Sequence, residues 1–183
     1  MATLIVALAV AAMVSLGFWQ LRRLREKEDL LARYAAAGHD LREVAWPAKD
    51  AAAARLLYRR ARLVCAGVTG HSSMAGRNAQ GEAGAAQTAR CRTPDGADVL
   101  VVLGWSRRPD AAAGWRGGVV HGTIAPGPRL VADPPVAGLA PNARPDPADI
   151  PNNHLSYAIQ WFLFAGVAVV IYGLALRRRL GRG

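Results

Sequence analysis

Two long uncharged runs bound this chain, and between them the hydrophobic pattern changes period several times. Ala2 to Phe18 has only Thr3 and Ser15 as polar side chains, and then the sequence turns basic from Gln20 through Arg22, Arg23 and Arg25 to Lys27. Leu155 to Leu176 is again uncharged and ends at Arg177-Arg178-Arg179. At 1.5 Å per residue, a run of about 22 residues crosses a hydrocarbon core. The pattern predicts transmembrane helices over 2–20 and 154–176. For the first run a cleaved signal peptide is the competing reading, because Ala9-Val10-Ala11 resembles a small-residue cleavage site. Against it, Met1 has no basic residue beside it and the apolar region would be very short. Ala7, Ala11 and Ser15 recur every four residues, a small-residue stripe on which a second helix can approach closely.

Between the spans the chain reads as a small β-rich domain. Glu26 to Ala37 is rich in helix formers, with Leu24, Leu31 and Tyr34 on roughly one face, so the first span is expected to continue as a helix until Pro47 redirects it. Four consecutive alanines in 49–56 favour a short helix. In 57–68, Ala61, Leu63 and Cys65 alternate with Arg60, Arg62 and Val64, the period of a strand. Further strands are expected at 99–103, 118–124 and 129–132, separated by Gly- and Pro-containing turns. The stretch 70–86, rich in Gly, Ala, Ser and Asn, shows no clear period and is expected to be loop. From Asp133 to Pro151 repeated prolines imply an extended return. The expected organisation is membrane α+β: helix 2–20, helical extension and linker 21–46, β-rich domain 47–133, Pro-rich return 134–153, helix 154–176 and basic tail 177–183.

Charge adds little to the fold and something to its surroundings. The 183 residues carry a net charge of +10. The cations gather at the flanks of the two spans, and no zinc-finger or aromatic RNA-binding motif accompanies them, so anionic lipid headgroups explain them better than nucleic acid. Arg22, Arg23, Arg25, Lys27 and Arg33 follow the first span while Arg177, Arg178, Arg179 and Arg182 follow the second, so the positive-inside rule votes both ways on orientation.

Two segments carry a resemblance. Leu16-Gly17-Phe18-Trp19-Gln20-Leu21-Arg22-Arg23-Leu24-Arg25-Glu26-Lys27 and Asn152-Asn153-His154-Leu155-Ser156-Tyr157-Ala158-Ile159-Gln160-Trp161-Phe162 resemble the opening and closing motifs of the surfeit locus protein 1 family of cytochrome c oxidase assembly factors. Tyr58 to Gly67 is similar to that family's Tyr-Arg strand. Val99 to Trp105 is similar to its strand ending in Arg-Gly-Trp, except that Leu103 stands where the arginine is usual. The resemblance implies a multi-pass protein of the bacterial cell inner membrane, with the β-rich domain extracytoplasmic in the periplasm and both termini cytoplasmic. It implies a role in biogenesis of a haem-copper terminal oxidase, aiding insertion of haem a. The implied partners are the oxidase catalytic subunit and a haem a synthase, with His154 matching the family's candidate haem ligand.

The residues around His154 support a site on their own terms. On a helix His154, Ala158, Trp161 and Ala165 share a face, flanked by Tyr157 and Phe164. An imidazole can ligate haem iron, alanines leave room for a flat macrocycle, and Trp and Tyr give it walls. The bland alternatives are an aromatic belt at the membrane interface and a helix cap formed with Asn153. Trp19 reads as a headgroup-level anchor and Gln20 as solvated or bonded to neighbouring backbone, but both lie near the level of His154 if the helices pair, and Gln20 there can bond a propionate or orient the imidazole. Arg22 and Arg23 are further propionate partners in principle, with a lipid-binding collar as the alternative. Cys65 and Cys91 read as a disulfide or as two small buried hydrophobes, since no closely spaced soft ligands favour copper. His39, His71 and His121 have no ligand-like spacing and read as surface or loop residues. No nucleophile elbow, zinc-protease helix or phosphate loop points to an enzyme. A protein-binding scaffold that stabilises an oxidase subunit without haem is the alternative function.

Overall fold

The computed structural model describes residues 1–181, so Arg182 of the basic tail lies outside the described residues. Ten main elements follow one another. They are α1 (Ala2–His39), β1 (Val44–Ala45), α2 (Asp50–Ala53), β2 (Arg60–Cys65), β3 (Gly67–Arg77), β4 (Ala83–Arg92), β5 (Asp98–Ser106), β6 (Gly118–Ala125), β7 (Arg129–Ala132) and α3 (His154–Leu180). They fall into two compact units, one of Met1–Ala32 with the chain from Ile150 onward, the other Arg33–Asp149.

The second unit is built on a seven-stranded mixed sheet in the order β1-β2-β6-β7-β5-β4-β3. β2 and β3 are separated by Ala66 alone, yet they occupy the second and the last positions of that order. A chain cannot step from one side of a flat sheet to the other in one residue, so the sheet curls round towards closure. At the corner the Ala66 N–H donates to the Arg92 carbonyl at 2.8 Å. The alternation expected for 57–68 places Ala61, Leu63 and Cys65 on the inner face of the curl. There they meet Ala89, Val101, Leu103, Val120, Ile124 and Leu130 in the main apolar core. Leu103 is completely buried in that core, where a methyl-rich side chain packs without the ion pair that an arginine would require.

A disulfide between Cys65 and Cys91 joins the end of β2 to β4, with the two Cα atoms 5.3 Å apart inside the core. Closing a loop of this separation restricts the unfolded chain by about 3 to 4 kcal/mol on the loop-entropy model. That matters in a domain of this size, where the apolar core alone leaves a narrow margin.

The stretch 70–86 differs from its expected loop: most of it is the antiparallel hairpin of β3 and β4. Its Gly, Ala and Ser side chains are too small to mark a buried face, so the backbone ladder to β5 decides the structure where side-chain periodicity is silent. The Pro-rich return is also more than a spacer. The Val136 N–H donates to the Leu103 carbonyl at 2.9 Å, and Trp105 and Ala140 exchange both backbone bonds at 2.7 and 3.1 Å, so it lies along β5.

The first unit is a helix pair. α1 and α3 are each long and apolar enough to cross a membrane. Ile159, Leu163, Val167, Val170, Ile171 and Leu174 of α3 are all more than half exposed, an arrangement costly in water and favourable in lipid. The pair meets where Gly17 of α1 faces Phe162 of α3: a Cβ at Gly17 would sit 2.6 Å from the Phe162 ring. The same ring stands edge-on to Phe18, with centroids 5.4 Å apart. Toward the other end Thr3 Oγ1 and the Tyr172 hydroxyl are hydrogen-bonded at 2.6 Å. Ala7, Ala11 and Ser15, expected to form the contact stripe, are instead exposed. One glycine taking an aromatic ring sets the interface where three small residues do not.

Gly17→Leu should therefore force the Phe162 ring aside and destabilise the helix pair by about 1 to 3 kcal/mol, the usual cost of overpacking. Ala7→Leu, on the outward stripe, should leave it unchanged. Thermal unfolding of the two variants in lipid nanodiscs checks this, and equal melting temperatures would contradict the assigned contact.

Candidate functional site

His154 is the first residue of α3 and Gln20 lies on α1 one turn past Gly17. The Gly17–Phe162 contact lets the two polar side chains meet: His154 Nδ1 and Gln20 Oε1 are 2.7 Å apart, partly buried, and 134 residues apart in sequence. A carboxamide oxygen only accepts, so Nδ1 carries the hydrogen and donates it. The imidazole is thereby held in one tautomer, with the lone pair on Nε2. That is the form in which a histidine binds a metal. Asn153 occupies the N-cap position of α3 but makes no side-chain cap bond, and His154 is engaged with Gln20 instead of capping.

The aromatic residues are distributed along one stripe. Tyr157, Trp161 and Phe164 follow His154 at steps of three, four and three residues, which is one flank of a helix. Tyr157 and Phe164 are 51% and 56% exposed, Trp161 is half-buried, and the Trp161 and Phe164 rings stand edge to face with centroids 6.3 Å apart. Trp19, beside Gln20, is 45% exposed. The expectation for the alanines needs correcting. Ala158 and Ala165 are only 1% and 5% exposed, so the space beside them is filled within the helix pair and is not open to a flat ligand. The surface available next to His154 is the outward aromatic flank.

The remaining candidates separate from this site. Arg23 is engaged by Glu26 at 2.7 Å in an exposed pair one turn along α1. Arg22 is exposed and has no carboxylate partner among the described residues. Cys65 and Cys91 are joined to each other, which removes both thiolates from any metal role. His71 and His121 lie on strands β3 and β6; the His121 side chain is at the surface as expected, whereas both ring nitrogens of His71 are buried without a hydrogen-bond partner. His121 Nδ1 is 2.9 Å from Glu43 Oε2, and Arg60 is 3.6 Å from the same carboxylate. The His121 hydrogen bond, reinforced by the Arg60 charge, holds the Glu43 carboxyl below its ordinary range. No cluster of three or more His, Cys, Asp or Glu side chains able to hold a metal ion occurs among the described residues. For Gln20, sequence reasoning left a propionate and the imidazole both open, and the structure brings it to the imidazole. Its position within a span was the signal, since an amide in lipid requires a partner.

A family model matches residues 7–166, and its family is SURF1. None of the curated proteins compared matches the chain. The match runs from inside the first apolar helix past His154, Trp161 and Ala165, and so takes in both halves of the Gln20–His154 pair.

Removing the Gln20 acceptor should release the imidazole. In nanodiscs, nitrogen NMR of 15N-histidine protein should show His154 protonated at Nδ1 alone, and Gln20→Leu should convert it to a mixture of tautomers. An identical spectrum in the variant would show that Gln20 does not orient the ring.

Proposed function

The chain belongs to the SURF1 family, whose members act in assembly of cytochrome oxidase and not as enzymes, and on that premise we propose that it aids insertion of haem a into the oxidase catalytic subunit, with His154 as the residue that would hold the iron. The observation that carries this reading is the Gln20–His154 hydrogen bond. It commits Nδ1 to the Gln20 amide oxygen and leaves the Nε2 lone pair free, the arrangement that metal-ligating histidines use.

The residues present fit such a group. Haem bound here supplies an iron that accepts an imidazole lone pair and a flat apolar ring that seeks aromatic surface. His154 provides the lone pair, Gln20 keeps the ring from rotating, and Tyr157, Trp161 and Trp19 offer the surface. Arg22, which has no carboxylate partner among the described residues, is a candidate cation for a propionate. The aromatic flank faces outward, so a ligand can leave without the helix pair separating. One neutral imidazole is a hold that can be exchanged for the receiving subunit's own ligands, as transient handling requires.

The same reading supplies a compartment. The Cys65–Cys91 disulfide favours an oxidising space for the β domain. With two spans, a periplasmic domain puts both termini in the cytoplasm of a bacterial cell, with the Arg177–Arg179 cluster on the inner side. The oxidase catalytic subunit is the proposed recipient, and a haem a synthase the proposed donor.

Two outcomes test the proposal. Protein purified from oxidase-assembling membranes should carry a haem absorption band. His154→Leu should abolish or strongly shift it at normal membrane levels, Gln20→Leu should weaken haem affinity about ten- to a hundredfold, and His121→Leu should leave the band alone. An unchanged band in His154→Leu would reject ligation by this residue, and native protein without any haem band would favour the scaffold function. Separately, a reporter active only in the periplasm should work when inserted near Gly81, in the β3–β4 turn, and activity only from a cytoplasmic reporter would overturn the placement.

A further inference from the structure

The two edges of the curled sheet are finished differently. One edge is β1, two residues long. The other is β3, eleven residues long, paired with β4 on one side and, at its last residue only, capped on the other by the Pro-rich return, whose Ala143 N–H donates to the Arg77 carbonyl at 2.8 Å. A strand directs alternate backbone groups to its two sides, so an edge strand of this length presents a row of N–H and C=O groups for further pairing. Natural edges are usually blunted by a charge, a proline or a bulge along the strand. Between Gly67 and Gly76 there is no charged residue and no proline, and the one irregularity lies at the start, between Val68 and Gly70. From Gly70 to Arg77 the strand runs in regular register with Arg90 to Ala83. Ser72, Ser73 and Ala75 are small and exposed, leaving room for a neighbouring backbone.

Charge decides what would pair there. Arg77 closes one end of this eight-residue stretch, and Arg90 sits opposite Gly70 at the other. Arg90 is exposed, and neither arginine has a carboxylate partner among the described residues, whereas nearby Arg92 pairs with Asp98 and Arg107 with Glu82. An antiparallel second copy would bring these cations together at both ends. An extended segment with carboxylates at its ends would neutralise them.

We propose that β3 is a docking edge that accepts an extended, acid-flanked polypeptide segment as an additional strand over Gly70–Gly76, up to the point where the return segment takes the Arg77 carbonyl. Backbone hydrogen bonds supply the pairing, and Arg77 and Arg90 select the occupant by charge. The inference is independent of haem binding at His154.

The test uses the full chain in nanodiscs of uncharged lipid, with an eight-residue peptide of alternating threonine and valine carrying aspartate at each end, and its lysine-ended counterpart. The aspartate-ended peptide should slow hydrogen exchange of alternate amides in Gly70–Gly76 at least tenfold at saturation, leaving β6 unchanged, and the lysine-ended peptide should bind at least tenfold more weakly. Replacing both cations, Arg77→Glu with Arg90→Glu, should reverse the preference, which a merely unfolded variant cannot do. No slowing with either peptide, equal slowing with both, or slowing that rises with protein concentration alone would overturn the proposal, the last in favour of a second copy.

Discussion

The close approach of Gly17 to the Phe162 ring is the contact on which the rest of the membrane unit depends. Lipid offers no hydrophobic driving force for helices to associate, so pairing rests on packing and on polar groups that need each other. Gly17 supplies the packing by having no side chain. Gln20, one turn on, and His154 supply the polar pair at 2.7 Å. With a bulkier residue at 17 the helices would separate, and an amide and an imidazole would each lose a partner in a medium that provides few others. The opening and closing motifs of the sequence are thus two halves of one structural element. Their glycine fits their phenylalanine, and their glutamine orients their histidine.

The β domain solves a different problem. Its sheet carries strands that are adjacent in sequence at β2 and β3 but far apart in strand order, and curling brings them together. The curl encloses an apolar core, and the Cys65–Cys91 disulfide ties β2 to β4 inside it. Outside the core, the Glu43 carboxylate bridges His121 and Arg60, so the His121 Nδ1 is already committed to a hydrogen bond on the outer face of the sheet. Only His154 combines a committed Nδ1 with a position at the start of an apolar helix.

Much of this was legible in the chain, for identifiable reasons. The spans showed themselves by length and absence of charge, and β2, β5, β6 and β7 by alternation or by runs between turns. The hairpin of β3 and β4 did not, because Gly70, Ala75, Ala85 and Ala86 carry too little side chain to record which face is buried. The helix contact was misplaced onto Ala7, Ala11 and Ser15, because small-residue spacing shows where a helix can approach and not which partner residue arrives. Phe162 was that partner, and nothing in the sequence alone pairs it with Gly17. At the site, periodicity placed His154, Ala158, Trp161 and Ala165 on one face, with Tyr157 and Phe164 flanking it. It could not show that Ala158 and Ala165 would be covered, since burial of an alanine depends on the opposite helix.

The most direct test of the central claim is pulsed electron paramagnetic resonance on ferric haem bound to a protein whose only histidine is His154. The chain has four histidines, and replacing His39, His71 and His121 by glutamine leaves that one. Ligation by His154 predicts a strong hyperfine coupling to a histidine nitrogen, changing in the expected isotope ratio when the histidine is 15N-labelled. Haem bound with no such coupling would contradict it.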